Sequence, residues 1–468
     1  MTAAGLIRGR AEGLLARARR LWEQSRPVHP DTEAALARRW SELPEHVQTD
    51  SQLLGRRTVG CEGTHGVFPR CNLACTPCYH AKEAQRVRTD GDHTAAEVER
   101  QMAFMRTVRG TGQHAQLIGG EVSLLSPDDH ARALQAMQRN GRKPMSMTHG
   151  DFDYDYLRDL ALGADGRPRF AQLRMAAHVD ALMLGRRAVP RPRAETDLHD
   201  ERRRIVGMFE RLRDEHGVGF DLAHNMTVTP SNLGEVAEVT RTAMGLCFGM
   251  ASFQPAAHVG NSKRWREDYR SLTMDDVWTQ VEAGAGARLP WRHLQMGDSR
   301  CNRSAYGLVV GGQWFPWLDD EDARDLRVRD RLLEAFGGTD FDRPPGPLAL
   351  SVARVLARRP GLVTTAAGWA LRLARRVGPR RLLTGAPRPF TFVVHAFIDA
   401  AVVRPAWEAM ERGEVAQEPE VRAAQERLQA CSYAMAHPED GRTVPACVQH
   451  SVLDPAENLE LLTLLPKG

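Results

Sequence analysis

Between residues 58 and 260, short apolar runs alternate with segments whose apolar positions recur every three or four residues. The runs THGVFP (64–69), HAQLI (114–118), PMSMTHG (144–150), LRMAAHV (173–179), FDLAHNMTV (220–228) and GMASFQP (249–255) predict six strands. The segments between them predict helices over 94–110, from Pro127 to Gly141, near 154–162, over 199–215 and from Asn232 to about 243. In the first of these, Thr94 and Glu97 form a capping box, and Val98, Met102 and Met105 make the apolar stripe. Six β–α alternations argue for a parallel sheet wrapped by helices. Six units fall short of the eight that close a full barrel, so the fold expected is α/β, a partial (β/α)6 TIM-like barrel.

The flanks read differently. Residues 1–57 are a helical extension, in which Leu6, Leu14, Leu15 and Leu21 follow a helical period among arginines. Residues 58–300 hold the barrel and 301–468 a C-terminal domain. Within the latter, YGLVVGGQWFPWLD (306–319) predicts a hairpin turning at Gly311 and Gly312. Residues 345–386 are helical, apolar and rich in arginine, with Val355, Leu356, Leu362, Val363, Trp369, Leu371 and Leu373 among Arg354, Arg358, Arg359, Arg372, Arg375 and Arg376.

Charge changes this picture little. The 468 residues carry 63 basic and 59 acidic side chains, a net +4, which gives no footprint for nucleic acid. No secretory signal stands out, and no apolar run is long enough to span a bilayer. A cytoplasmic, reducing compartment is the expectation, where the eight cysteines are free, metal-bound or catalytic.

Cysteine placement is the informative feature. Cys71, Cys75 and Cys78 fall within RCNLACTPCYH, directly after the first strand. Three thiolates in one polar loop can complete a zinc site with Cys61 or His80, or can hold an iron–sulfur cluster with one iron left open. The run CNLACTPCY resembles the signature of the radical S-adenosylmethionine (SAM) superfamily. Pro77 stands where many members carry an aromatic residue, and Tyr79 follows the last cysteine instead.

That resemblance implies a reduced [4Fe–4S] cluster that cleaves SAM to methionine and a 5′-deoxyadenosyl radical, which abstracts hydrogen from a substrate C–H bond. It extends in order along the strands over about residues 58–260. Gly119, Gly120 and Glu121 match the GGE motif that receives the methionyl end of SAM. Thr148, His149 and Gly150 match the end of strand three. Thr227 and Thr229, followed by Ser231 and Asn232, stand where relatives place groups near the SAM carboxylate and ribose, and Gln254 where adenine is held. Read without the resemblance, those hydroxyls are helix caps. Asp151, Asp153 and Asp155 could bind a cation or a polar substrate group, with negative charge at a helix N-terminus the simpler reading, and His178 and Asp180 read as substrate contacts or a buried pair.

The tail, CSYAMAHPEDGRTVPAC, resembles radical SAM enzymes with an auxiliary cluster, most closely the tetraether-lipid synthase branch, with FVVHAFIDAAVV (392–403) as a second shared phrase. This resemblance implies Cys301, Cys431 and Cys447 as ligands of a second iron–sulfur cluster. The fourth ligand is open between Cys61, Cys247, a histidine and the substrate, and Cys247 by itself reads as a small core residue. The branch's cysteine-rich segment before the barrel is absent, since residues 1–60 contain no cysteine. The expected partners are a reductant such as ferredoxin or flavodoxin and a lipid or other long apolar substrate. The arginine-lined helices offer peripheral membrane contact. A peptide-modifying maturase and a structural zinc or iron–sulfur protein are the alternatives.

Overall fold

The computed structural model describes residues 19, 21–80, 82–260 and 262–467. Most of the expected N-terminal amphipathic segment, including Leu6, Leu14 and Leu15, lies outside the described residues. Six parallel strands form in the predicted order: β1 (Cys61–Gly63), β2 (Gln113–Leu117), β3 (Arg142–Thr148), β4 (Gln172–His178), β5 (Gly219–Val228) and β6 (Met250–Pro255). After α1 (Pro30–Glu42), the helices α2 (Gly91–Arg109), α3 (Pro127–Arg139), α4 (Tyr154–Ala161), α5 (His199–His216) and α6 (Val236–Gly245) follow β1 to β5 one by one. Their apolar stripes bury against the sheet: Val98, Met102 and Met105 of α2 and Ile205, Phe209 and Leu212 of α5 are fully buried in one continuous core.

Two boundaries moved for identifiable reasons. The first strand is Cys61–Gly63, not 64–69. Beyond Gly63 the backbone leaves the ladder, because side chains capture it: the Thr64 hydroxyl donates to Ile118 O, and Gln101 Oε1 accepts from His65 N. Helix α2 begins at Gly91, one turn before Thr94. Asp90 is its cap, accepting from His93 N, and Thr94 instead donates to Asp90 O.

The chain after residue 300 extends the same sheet at both edges. β7 (Asn302–Val310) and β8 (Gln313–Pro316) form the predicted hairpin, with Gly311 and Gly312 both at positive φ, as a tight two-residue turn requires. Helices α7 (Met274–Ala285), α8 (Ala323–Phe336), α9 (Pro345–Arg358), α10 (Gly361–Val377) and α11 (Pro379–Thr384) lie before β9 (Arg388–His395). β9 pairs parallel to β6 and antiparallel to β7. After α12 (Ala400–Glu411) and α13 (Pro419–Gln429), β10 (Tyr433–His437) pairs parallel to β1 and antiparallel to β11 (Arg442–Pro445). The eleven-stranded order is β8-β7-β9-β6-β5-β4-β3-β2-β1-β10-β11. A π-helical turn, Gln449–Leu453, leads into the last helix, α14 (Asp454–Leu464).

The arginine-rich helices are not a continuous basic face. Arg372 and Arg376 both donate to the buried Asp325 of α8, Arg354 stacks on Trp22 and bonds Ser25, and Trp369 Nε1 donates to Trp317 O. Val355 and Leu362 are buried, while Leu350, Val363, Leu371 and Leu383 face outward. Among the described residues no helix is long and apolar enough to cross a membrane.

Candidate cysteine centres at the barrel mouth and the sheet edges

Parallel strands place all their C-terminal ends on one side, and there the side chains singled out by motif converge. The cysteine loop leaves β1 and is clamped from several directions. Ala74 and Cys75 pair antiparallel with Met183 and Leu184 beyond β4. Cys71 N donates to Gln85 Oε1, and Arg264 Nη1 donates to Cys75 O. Gly260 sits at positive φ, where an added Cβ would lie 2.3 Å from Tyr79 O.

Burial pushes the Cys71 thiol up to about 12 and raises Cys75 and Cys78 as well, with the neighbouring thiols adding to the effect on Cys71 and Cys75. Arg264 acts in the opposite direction on Cys71 and Cys78, as Arg186 does on Cys75. The three thiols are half-buried, and a bound cation would favour their thiolate forms. Their sulfurs do not all lie within 4.8 Å of one another; among the described residues only His65, His437 and Glu457 form a group that close. Thiolates on one tetrahedral zinc sit ~3.8 Å apart, from Zn–S bonds of ~2.3 Å. The wider spread suits a cluster, whose irons separate the sulfurs.

Gly119 and Gly120 serve a backbone approach within the protein. Gly120 N donates to Phe68 O and Glu121 N to Arg70 O. A Cβ on Gly120 would lie 1.9 Å from Arg70 O, so only glycine lets the end of β2 seat against the chain entering the cysteine loop. Glu121 is buried and accepts from Ser123 N, Thr148 Oγ1 and His149 N. Burial opposes its ionisation, but His149 and these hydrogen bonds outweigh it, so its carboxyl titrates below the usual range. His149 Nε2 in turn lies 2.8 Å from Asn72 Oδ1. One chain of contacts thus runs from β2 through β3 back to the cysteine loop.

Farther round the mouth, Asp180 Oδ2 accepts from Thr227 N and pairs with His178 Nε2, which also reaches Thr227 Oγ1. Thr229 N donates to Asn232 Oδ1, and Thr229 Oγ1 meets Ser231 Oγ, so these hydroxyls organise the turn after β5. Gln254 differs. Its Nε2 donates to Ser252 Oγ, while its buried Oε1 has no partner, an acceptor left open at the end of β6. Asp153 caps α4, as expected for charge at a helix start, but Asp151 is held by Arg187. Motif reading missed Asn72, Arg186 and Arg264. Arg186 is 1% exposed and donates to the carbonyls of His149 and His178, yet nothing distinguishes it in sequence from the chain's many other arginines.

The remaining cysteines sort by position. Cys247 is exposed in the turn before β6, which corrects its reading as a core residue and removes it from both sets. Cys61, Cys301 and Cys447 each lie within the electrostatic reach of Cys431, and Cys447 also feels Cys301. Burial raises Cys61 and Cys301 to about 11 and Cys447 further. Cys301 precedes β7 at one edge of the sheet; Cys431 and Cys447 flank the β10–β11 hairpin at the other. The two edges meet here: Ile398 N, after β9, donates to Cys447 Sγ, and Arg427 donates to Cys301 Sγ. A cavity of about 750 Å³ reaches Cys61, lined partly by Leu294, Met296, Tyr306 and Trp317.

No family model and no curated protein matches this chain. Among solved structures it is similar to native anSMEcpe with bound AdoMet, at 16% identity and a TM-score of 0.31, over 47% of this chain and 57% of that one. Native anSMEcpe with AdoMet and the Cp18Cys peptide gives 15%, the same TM-score and the same coverage. The hexahistidine-tagged form with AdoMet gives 14% and a TM-score of 0.31 over 47% and 55%. The chain spans little more than half the length of the structures it matches.

Proposed function

We propose that this chain is a radical SAM enzyme in which Cys71, Cys75 and Cys78 hold a [4Fe–4S] cluster. The observation that carries this reading is the trio of half-buried thiols in one loop at the C-terminal mouth of the parallel strands, with sulfurs that do not all lie within 4.8 Å of one another. Cluster and SAM, when bound, supply one-electron cleavage of SAM and a radical able to abstract hydrogen from an unactivated C–H bond.

The chain's own residues hold and shield that site. Arg264 and Arg186 offset thiolate charge. Glu121, Thr148 and His149 fix the ends of β2 and β3 against the cysteine loop. Gln254 Oε1 is the acceptor available to an exocyclic amine such as that of adenine. Tyr79, half-buried, packs its ring against His80 and His450 and screens that side from water.

Cys301, Cys431 and Cys447 hold an auxiliary iron–sulfur cluster in this reading, with Cys61 as the fourth ligand. The support is that Cys61, Cys301 and Cys447 each lie within the electrostatic reach of Cys431. A reductant such as ferredoxin or flavodoxin supplies the electron. A lipid or other long apolar substrate fits the outward Leu350, Val363, Leu371 and Leu383, which stand among Arg358, Arg375, Arg380 and Arg381.

Anaerobically reconstituted protein is expected to be brown, to carry about eight irons if both sets hold [4Fe–4S] clusters, and to release 5′-deoxyadenosine with dithionite and SAM. Colourless protein containing only zinc, or a Cys75→Ala variant that still cleaves SAM at the normal rate, would overturn the assignment. Lipid extracts from cells with and without the protein test the substrate class. Unchanged lipids beside a modified peptide would replace the lipid reading with a maturase.

A further inference from the structure

Away from both cysteine sets, one ring nitrogen each of His65 and His437 and one carboxylate oxygen of Glu457 lie within 4.8 Å of one another. They come from three distant parts of the chain: the segment just after β1, the end of β10, and α14. Both histidines are buried.

Their hydrogen bonds do not close with neutral rings. His65 Nε2 lies against the Ala436 carbonyl at 2.5 Å and must donate to it. In a neutral ring Nδ1 is then a bare lone pair, yet it faces Glu457 Oε2 at 3.0 Å. His437 meets the same conflict. Its Nδ1 faces Glu439 Oε1 at 3.2 Å and its Nε2 faces Gln449 Oε1 at 2.7 Å. The orientation of that amide is set, because Gln449 Nε2 donates to both Asp454 Oδ1 and Glu457 Oε1. Each ring thus has an acceptor at both nitrogens. Protonating both would stack two imidazolium cations 4.2 Å apart, with ring planes 19° from parallel, in a buried place. One divalent cation relieves both conflicts together.

We propose that His65 Nδ1, His437 Nε2 and Glu457 Oε2 bind a single first-row divalent cation of the zinc type, as a structural staple. Each ligand already has the outer partner that such ligands use to fix their orientation: the Ala436 carbonyl for His65, Glu439 for His437 and the Gln449 amide for Glu457. Two imidazoles and a carboxylate suit zinc. The ion would pin β10 and α14 to the chain that leaves β1 for the cysteine loop. The inference does not rest on the radical SAM reading.

The test uses the full-length protein, purified anaerobically with zinc present, and mass-spectrometric metal analysis. About one zinc per chain is expected, retained in a Cys75→Ala, Cys447→Ala double variant, and lost in His437→Ala and in Glu457→Gln. Glu457→Gln keeps the side-chain shape, so its circular dichroism separates loss of metal from loss of fold. Dipicolinate should lower the melting temperature of the wild type, and added zinc should restore it. Wild-type protein that binds no zinc even from excess, or zinc content unchanged in both His437→Ala and Glu457→Gln, overturns the proposal.

Discussion

Arg427 Nε donates to Cys301 Sγ at 3.0 Å, and the same guanidinium reaches the carbonyls of Ala396 and Phe397 after β9. It therefore ties α13, which leads into β10, to the ends of β7 and β9 and favours Cys301 as the thiolate. Arg427→Leu should lower iron retention at the second set and leave the first set intact. Iron is expected to fall toward about four per chain, with 5′-deoxyadenosine release preserved under dithionite. Unchanged iron content would show that the guanidinium has no part in holding the centre.

Cys61 and Cys247 separate two accounts of the fourth ligand. Cys61 is half-buried within the electrostatic reach of Cys431, whereas Cys247 is exposed elsewhere. Cys61→Ala should destabilise the second centre and release its iron on gel filtration, while Cys247→Ala should leave iron and sulfide unchanged. Equal behaviour of the two variants would contradict the assignment.

Gly120→Ala should disturb the first centre without touching a cysteine. The new Cβ would meet Arg70 O at 1.9 Å and Pro69 O at 2.4 Å, backbone atoms that cannot swing aside as a flexible side chain would. A cost of about 3 kcal/mol is expected from such overpacking. It should be read as a lower melting temperature together with a loss of SAM-cluster absorbance.

Asp325 tests how the arginine-rich helices are used. It is 1% exposed and accepts from both Arg372 and Arg376. Asp325→Ala should cost about 3 kcal/mol by leaving two guanidinium groups unpaired, and should expose α10 to limited proteolysis. Binding to anionic vesicles should depend on Arg380 and Arg381, which are exposed, and not on Arg372 and Arg376. Equal losses from both pairs would mean that the helices rearrange on lipid.

His130 gives stability an acid limb. Burial lowers its pKa from 6.5 to about 4, while its ring meets Tyr156 Oη and Ser146 Oγ. The folded protein therefore binds fewer protons than the unfolded chain between these values. Stability from this group is present above pH 6.5 and lost as pH falls toward 4. His130→Asn should flatten that part of the melting temperature against pH; an unaltered slope would assign it to other groups.

The alternation of apolar runs and amphipathic helices was enough to read six parallel strands, because that pattern is local and each strand is buried by the helices beside it. The C-x3-C-x2-C loop was legible too, since its three thiols are near neighbours in sequence. Asp90 outranked Thr94 as a cap within one turn, a competition that spacing cannot resolve. The rest depended on distance. Cys61 joins Cys431 only because β10 pairs beside β1, and Cys301 joins them only because β7 and β9 extend the opposite edge until the edges meet. Burial, which raises the Cys61 and Cys301 thiols, and the acceptors crowding His65 and His437 are properties of packing between remote segments. Local pattern alone was sufficient for the run of parallel strands and for the cysteine loop that follows the first of them. Tertiary structure decided which of the remaining cysteines and histidines share a site, because only folding brings residues hundreds of positions apart into one another's electric field.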